Sequence, residues 1–462
     1  MIKIGLECHV PLNRVNTKLF CGCSLSSEDS EPNTHTCVTC LGHPGSKPVL
    51  NKEAVNHALK LALSLNFKIN NEIFFSRKNY FYPDMNKNFQ ITQYEIPLGI
   101  DGALQLENKK IRLRRIHLEE DPGSLIHPEG MQKSSYVLVD YNRAGMPLCE
   151  IVTEADIESP EEAREFLKKL ISIIGYLGIY DQNRNPIKVD ANISIKEKGY
   201  TKVEIKNISG FKEVETALNY EVERQKNSKK VEQETRAWDS NKGVTFSLRL
   251  KEEDIDYGYI FESDLVKTEF TKDFITKIKK DIPELAHEKI NRYIKEFNID
   301  KKDAEVLSQE YRLAVLFEKV AEEINPILAA RWLRRELLRV LNYNKKNLDE
   351  LEIDEKHLID LLSLIEKKQI TETNAQKILE KLIQKPFDVK EYVKKEGLRV
   401  IAKEDELGII CDKVIKENQK AIEDYKKGEE KALNFVVGQV MRLTKGQAKP
   451  DVVRKIILEK IS

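Results

Sequence analysis

The hydrophobic pattern changes near residue 270, and this change constrains the fold more than any other feature of the chain. Before it, Gly, Pro and Asn turns separate short β-branched runs, at 3–6, 110–118, 136–140, 188–195, 202–206 and 244–250. Helical patterns interrupt these runs, at 52–65, 161–177 and 214–225. After it, apolar residues recur at helical spacing, as at Leu313, Phe317 and Val320. We therefore predict an α+β protein with its strands concentrated in the first part.

The helical part is itself divided. A chain of 462 residues is too long for one ordinary hydrophobic core. Prolines separate the helical segments, and the stretch 342–354 is polar and lacks a strand pattern. We predict three domains: a mixed α/β domain, a helical domain and a smaller helical tail domain, at 1–280, 281–345 and 346–462.

Composition excludes several classes of protein. The 76 Lys and Arg residues balance 76 Asp and Glu residues, which argues against a surface that is basic throughout but allows a local basic patch. Hydrophobic residues make up 40% of the chain, enough to build a core. No apolar run reaches the ~18 residues of a membrane span, and the N-terminal segment lacks a signal-peptide pattern. We expect a cytoplasmic protein without a membrane partner.

Four of the seven cysteines form two close pairs, Cys21 with Cys23 and Cys37 with Cys40. Four thiolates can complete a tetrahedral zinc site, although the first pair is CxC rather than the usual CxxC. Such a site has no open position, so we predict structural rather than catalytic zinc. Buried reduced thiols are the alternative.

Polar residues alternate along several predicted strands. Glu7 and His9 are two residues apart, so both side chains point to one face of their strand. The same alternation is found at Asp190 and at Glu204 with Lys206, while Glu119 and Glu120 end a basic strand. If these strands are neighbours, their carboxylates share a face that suits Mg²⁺. A solvated sheet face without metal is the alternative.

Two cations and three aromatic residues occur close together within 77–84. This combination can contact phosphates or stack on RNA bases, and an ordinary surface loop is the alternative. The sequence contains no Walker A, GxGxxG or GxSxG motif. Any nucleotide site must therefore be of another kind.

Together these segments resemble the B subunit of the tRNA-dependent amidotransferases. The matching runs follow in one order, at 5–9, 77–84, 117–121, 140–143, 150–152, 190–194, 204–207, 233–236, 437–441 and 444–446. So many separated matches make chance similarity implausible.

The resemblance implies a cradle domain with a kinase-like site built on its sheet, followed by helical and tail domains. It implies an ATP-dependent carbon–nitrogen ligase that phosphorylates the side-chain carboxylate of Asp or Glu esterified to tRNA. Ammonia then displaces phosphate and gives Asn-tRNA(Asn) or Gln-tRNA(Gln). A separate amidase (A) subunit releases this ammonia from glutamine, and a small C subunit completes a heterotrimer.

The resemblance also assigns roles to residues. The positions matching the family's Mg²⁺ site are Glu7, His9, Glu119, Glu120, Asp190 and Glu204. Glu120 also matches the position that gates ammonia entry, and Lys78 and Lys87 lie where the channel and the site entrance run. We expect Arg77, Lys206 and Asn207 to contact ATP.

One departure from the family pattern bears on function. Gly258 stands where the family has an arginine, within a loop that has also lost its prolines. This change supports a second hypothesis, a noncatalytic tRNA-docking or assembly subunit of the same complex. A third, a stand-alone zinc-stabilised RNA-binding protein, explains the cysteines but not the carboxylates. The chain has no room for the inserted domain of the archaeal E subunit, which favours the B type.

The tail domain is locally basic. Residues 431–462 include seven Lys and Arg residues and two acidic residues, which gives this segment a net charge of +5 in a neutral protein. A solvated helix face is the ordinary interpretation. Because the family's tail domain is thought to hold tRNA, we predict that this segment binds the tRNA backbone.

Overall fold

The computed structural model describes residues 1–25, 30–130, 134–182, 184–250, 258–400, 404–444 and 446–461. The side chains at 207, 249, 250, 349 and 404–406 lie outside the described part. The chain separates into two compact units, Met1–Leu285 and Ala286–Ser462. The first unit ends five residues after the predicted boundary at 280.

The first unit is built on one large mixed sheet. Its strands and those of two small ribbons are β1 Ile2–Pro11, β2 Lys68–Ile69, β3 Glu72–Ile73, β4 Ser76–Asn79, β5 Phe89–Thr92, β6 Gly99–Gln105, β7 Lys110–Glu120, β8 Ser124–Ile126, β9 Leu138–Asp140, β10 Pro147–Thr153, β11 Lys188–Ile195, β12 Val203–Ser209, β13 Glu234–Asp239, β14 Val244–Leu250, β15 Gly258–Phe261 and β16 Thr268–Glu269. The order along the sheet is β14-β13-β12-β11-β1-β10-β7-β5-β4-β15, with β6 also paired to β7 and β2 to β6. Within this path only β12 and β13 run parallel among the described strands.

Helices cover the apolar face of this sheet: α1 Lys52–Ser64, α2 Pro160–Leu177, α3 Phe211–Asn227 and α4 Lys272–Lys280. Local signals explain the ends of α2. The Ser159 hydroxyl accepts a hydrogen bond from the Glu162 N–H, Pro160 occupies the first turn, and Gly178 closes the helix with φ of +64°. The core combines apolar residues of these helices with those of the strands, including Phe166, Leu170 and Ile151.

The second unit is helical. Its α-helices are α5 Ala286–Glu296, α6 Lys301–Ser308, α7 Tyr311–Glu323, α8 Pro326–Arg331, α9 Leu338–Asn344, α10 Glu355–Glu366, α11 Glu372–Gln384, α12 Val389–Lys395, α13 Glu404–Glu417, α14 Gln419–Lys426, α15 Glu430–Leu443 and α16 Pro450–Ile461. A π-helix, Trp332–Leu337, joins α8 to α9. Two separate hydrophobic clusters stabilise the unit, one within 293–398 and one within 407–461.

The α+β class is confirmed, and the predicted strands and helices agree with the structure except at some ends. Strand β10 is not predicted from the sequence, because a turn and Pro147 stand directly before its short apolar run. The predicted boundary between 345 and 346 falls inside the first cluster of the second unit, which packs Leu333 with Leu361 and Leu379. The polar stretch that suggests a boundary is a loop between helices of one core.

This packing yields a prediction about truncation. A chain ending at residue 346 loses Leu361, Leu379 and Leu382 from the first helical cluster, so its second unit should not unfold cooperatively. A chain ending at Val400 keeps that cluster and should give a cooperative transition. Thermal unfolding followed by circular dichroism and limited proteolysis would compare the two chains. Equal protease resistance in both would contradict the assignment of one core.

Candidate active site

Strand β1 lies between β10 and β11, and these neighbours assemble a polar face on the sheet. Glu7 is opposite Asp190 of β11, and His9 is opposite Glu150 of β10. Cys8, between them in sequence, points to the other face and is fully buried in the core. Of the strands that carry the predicted carboxylates, β1, β11 and β12 are direct neighbours, and β10 lies between β1 and β7.

The first group of possible metal ligands, the histidine–acid group, contains His9, Glu119 and Glu150. His9 Nε2 lies 3.7 Å from a carboxylate oxygen of each acid. His117 approaches the same two carboxylates, with its Nε2 3.6 Å from Glu119 and 3.2 Å from Glu150. Each of the two imidazoles therefore lies close to both carboxylates.

Burial and charge oppose each other in the histidine–acid group. Burial disfavours the imidazolium form of His9 and His117, but Glu150 and Glu119 outweigh it and raise the pKa of both histidines. Burial alone would raise the pKa of Glu150, whereas His117 and His9 bring it below its usual range. Glu150 is therefore ionised at neutral pH.

The second group, the acidic triad, contains Glu7, Asp190 and Glu204. Lys206 Nζ lies 3.0 Å from Asp190 and 3.2 Å from Glu204. Burial raises the pKa of Glu7, and repulsion from Glu150, Asp190 and Glu204 adds to that effect. Burial opposes the charge of Lys206, but Asp190 and Glu204 raise its pKa. The triad thus holds more negative charge than the lysine neutralises.

Both groups have the chemistry of a divalent-cation site. In each, one ligand atom per residue lies within 4.8 Å of the others. The acidic triad offers oxygen donors alone, as Mg²⁺ prefers, whereas the His9 nitrogen is a less usual Mg²⁺ ligand. The residues present therefore fit Mg²⁺, and they fit it best at the acidic triad.

A cavity of about 280 Å³ opens beside the acidic triad. Glu7 lines it together with Lys3 and Arg114. The cavity is therefore lined by the carboxylate of one triad residue and by cationic side chains.

Glu120 belongs to neither group. It follows Glu119 on β7, and successive strand residues point to opposite faces, so it faces away from the histidine–acid group. Its carboxylate accepts hydrogen bonds from Lys87 Nζ and, at 2.8 Å, from the Ile91 N–H. The structure therefore joins Glu120 with Lys87 and separates it from the other predicted Mg²⁺ ligands.

The remaining predicted residues lie in different surroundings. Arg77 forms a two-bonded ion pair with Glu262, at 2.7 and 2.8 Å, and does not contact the acidic triad. Lys78, its neighbour on β4, has its Nζ 5.8 Å from the Tyr80 ring centroid. The Asn207 side chain lies outside the described part of the chain. Three residues are predicted to contact ATP. Among those whose side chains are described, only Lys206 contacts the acidic triad.

A second cavity, of about 190 Å³, brings Arg77, Lys87 and Glu120 together with Cys21 and Cys40. Glu262, which holds Arg77, belongs to the loop that departs from the family pattern. Gly258 of that loop pairs with β4, while positions 256 and 257 are outside the described ranges. The altered loop therefore forms part of this cavity wall.

Sequence reasoning misses Glu150 of the histidine–acid group and His117, which lies against it. Glu150 lies on the unpredicted strand β10, although its run Glu150-Ile-Val is one of those that carry the resemblance. His117 stands two residues before Glu119, so strand alternation alone could have found it.

The four predicted zinc cysteines are gathered at one place. Their sulfur atoms lie within 4.8 Å of one another. The pKa of the Cys40 thiol is lowered by a hydrogen bond from the Cys21 thiol, by the backbone N–H of Cys37 and by the charge of Lys18. Lys18 is fully buried, with its Nζ 3.7 Å from the Cys40 sulfur. Four sulfur atoms this close to one another fit structural zinc.

Comparisons with known proteins identify the family of the chain. Residues 2–276 match the model of the GatB/GatE catalytic domain, and residues 315–461 match that of the GatB domain. The B subunit of the aspartyl/glutamyl-tRNA(Asn/Gln) amidotransferase of Thermodesulfovibrio yellowstonii is 44% identical over 471 residues, covering 99% of this chain and 98% of that protein. The chain belongs to this family of amidotransferase B subunits.

Other members of the family are similarly close. The B subunit of Carboxydothermus hydrogenoformans is 42% identical over 474 residues, and that of Persephonella marina is 41% identical over 472 residues. Each alignment covers 99% of this chain and 98% of the relative. The resemblance seen in the sequence is thus confirmed, in the B rather than the E type.

The helices give one further result. None in the described ranges combines the length and the apolar character needed to cross a bilayer.

The cysteine group yields a prediction about zinc. Protein purified without chelator should contain about one zinc per chain by elemental analysis, because four thiolates complete a tetrahedral site. Cys37→Ser should lose most of this metal. Cys411→Ala, which alters a buried thiol outside the group, should retain it. Equal zinc content in the two variants would rule out the assigned ligands.

Proposed function

We propose that this chain is the ATP-dependent ligase subunit of a glutamine-hydrolysing aminoacyl-tRNA amidotransferase. Its substrates would be Asp or Glu esterified to tRNA, and its products Asn-tRNA(Asn) or Gln-tRNA(Gln). The observation that carries this proposal is the presence of both groups, the histidine–acid group and the acidic triad, on one sheet face formed by β7, β10, β1, β11 and β12. ATP, Mg²⁺ and structural zinc would be the cofactors.

Phosphoryl transfer depends mainly on positioning and on charge neutralisation. Glu7, Asp190 and Glu204 would hold Mg²⁺, which when bound neutralises phosphate charge. Lys206 contacts two of these carboxylates, so its ammonium group would lie beside the phosphates. The cavity beside Glu7, with Lys3 and Arg114, offers room for the rest of the nucleotide.

The Lys87–Glu120 pair would serve the ammonia side of the reaction. The Glu120 carboxylate is buried and already oriented by Lys87 and by the Ile91 N–H. A carboxylate held in this way can take a proton from ammonium as the nitrogen approaches the activated acyl group. Lys78 and Arg77 remain candidates for the entrance and for a phosphate contact.

Partners follow from the same proposal. Ammonia would come from an amidase (A) subunit, and a small C subunit would complete the heterotrimer. The misacylated tRNA would contact both the cradle and the basic tail.

A noncatalytic docking or assembly subunit is the second candidate. The altered loop at Gly258 favours it, because an arginine of the family is absent there. The complete acidic triad and histidine–acid group favour the catalytic role, since a docking protein has no need to keep buried carboxylates together.

The catalytic proposal predicts a large effect of Glu204→Gln in the acidic triad, which keeps the shape of the side chain but removes its charge. Amidation of misacylated tRNA with ATP and ammonium chloride should fall about 100-fold or more, because the cation loses a ligand. Titration calorimetry should detect weaker Mg²⁺ binding. The matched control is Glu223→Gln, an exposed carboxylate on α3 that pairs with Lys226. Wild-type amidation by Glu204→Gln would reject the assigned site, and a wild-type complex without amidation would favour the docking role.

The tail predicts a second effect. The exposed cations of α15 and α16 include Arg442, Arg454 and Lys455, while Lys445 lies outside the described residues. A chain ending at Val400 lacks these cations but keeps the first helical cluster. Its tRNA affinity should fall, and the slope of log affinity against log salt should decrease by about one for each lost phosphate contact. An unchanged slope in filter-binding or fluorescence titrations would exclude the tail as a tRNA contact.

A further inference from the structure

A short turn connects the second cysteine pair to the residues beyond it. We call residues 37–43 the cysteine loop. Backbone hydrogen bonds close it: Leu41 N–H to the Cys37 carbonyl at 3.0 Å, Gly42 N–H to Thr39 at 3.1 Å, and His43 N–H to Val38 at 2.8 Å. The position of Gly42 is therefore fixed relative to Cys37 and Cys40.

Gly42 packs directly against the stem of Lys87. Its φ of +68° lies in the left-handed region, and a Cβ built on it would lie 2.5 Å from Lys87 Cγ and 3.1 Å from Lys87 Cβ. Any larger residue would have to displace the lysine. Glycine at this position therefore allows the loop to contact Lys87.

A hydrogen bond joins the same two segments beside this contact. The Asn86 side-chain amide donates to the Cys40 carbonyl. Asn86 precedes Lys87, so the loop contacts the side chains of both residues. Asn86 and Lys87 are thus both in contact with the cysteine loop.

The far end of Lys87 is tied to Glu120. The Lys87 side chain is only 7% exposed, and its Nζ donates to the Glu120 carboxylate and lies 5.3 Å from the Phe89 ring centroid. Cys40, Gly42, Lys87 and Glu120 line one cavity. A shift of the cysteine loop would therefore move the ammonium group that orients Glu120.

We propose that the cysteine loop is a positioning element for the Lys87–Glu120 pair, with Gly42 as the positioning residue. Zinc at the four cysteines would stabilise the loop and, through Gly42 and Asn86, the place of the Lys87 ammonium group. Loss of zinc would loosen this pair without touching the metal-type groups on the opposite sheet face. The proposal rests on the proposed role of Lys87 and Glu120 in the ammonia step.

The test compares Gly42→Ala with Gly45→Ala. Both glycines have positive φ, +68° and +82°, so alanine strains the backbone at either position. A Cβ at Gly45 meets nothing within 4 Å, whereas one at Gly42 meets Lys87. Gly45→Ala therefore reproduces the strain in the same region without the contact.

The first measurement separates the two chemical steps in the complete complex with its partner subunits. With misacylated tRNA and ammonium chloride, Gly42→Ala should lower kcat/KM for ammonium about 10- to 100-fold, the effect expected from an ångström-scale misplacement. The KM for ATP, and the ADP formed when no nitrogen donor is present, should stay within about twofold of wild type. Gly45→Ala should stay within about twofold of wild type in all three quantities.

The second measurement does not depend on activity. Amide hydrogen exchange of the full chain should become faster within residues 86–92 when zinc is removed by a chelator. Gly42→Ala should exchange faster there while keeping its zinc content. Asn86→Ala, which removes the other tie, should behave in the same way and serves if Gly42→Ala does not fold.

Each outcome has a defined meaning. Equal effects of Gly42→Ala and Gly45→Ala on ammonium use, or exchange at 86–92 that does not respond to zinc removal, would overturn the positioning role. A wild-type complex that forms no amidated tRNA would reject the proposed function instead, and the exchange measurement would still decide whether the loop and Lys87 are coupled.

Discussion

The antiparallel pairing of β1 with β10 and β11 is the constraint on which the rest of the structure depends. One side of β1 carries Ile4, Leu6 and Cys8 into the core, and the other carries Glu7 and His9 to the polar face. Because side chains alternate, the register that buries the core also selects the neighbours of the polar residues. A slip of one residue would bury the carboxylates and expose the core.

The charge gathered on that face requires compensation. In the histidine–acid group, Glu150 and Glu119 raise the pKa of His9 and His117, and the two histidines lower the pKa of Glu150. In the acidic triad, Lys206 offsets part of the charge, and the pKa of Glu7 stays raised. The triad is therefore the place where a divalent cation would relieve the most repulsion.

The cysteine group stabilises a part of the chain that lies outside the sheet and the helices. Its segment lies between β1 and α1, where the described residues form only one isolated bridge, between Thr17 and Ser24, and no helix or strand. Four thiols, the buried Lys18 and the turn around Gly42 supply the missing order. This segment also lines the same cavity as Lys87 and Glu120. Under the proposal above, its stability therefore affects the position of that pair.

The sequence by itself determined what local patterns encode: the α+β class, helix α2 with its Ser159 cap and the alternation of Glu7 with His9. Alternation along β7 also implies that Glu119 and Glu120 face opposite ways, although the resemblance places both at the metal. Tertiary structure alone decided that Glu150 meets His9 and that Gly42 touches Lys87. The physical reason is that strand order, register and loop packing join segments far apart in the chain, and a local period carries no information about which distant segment lies beside it.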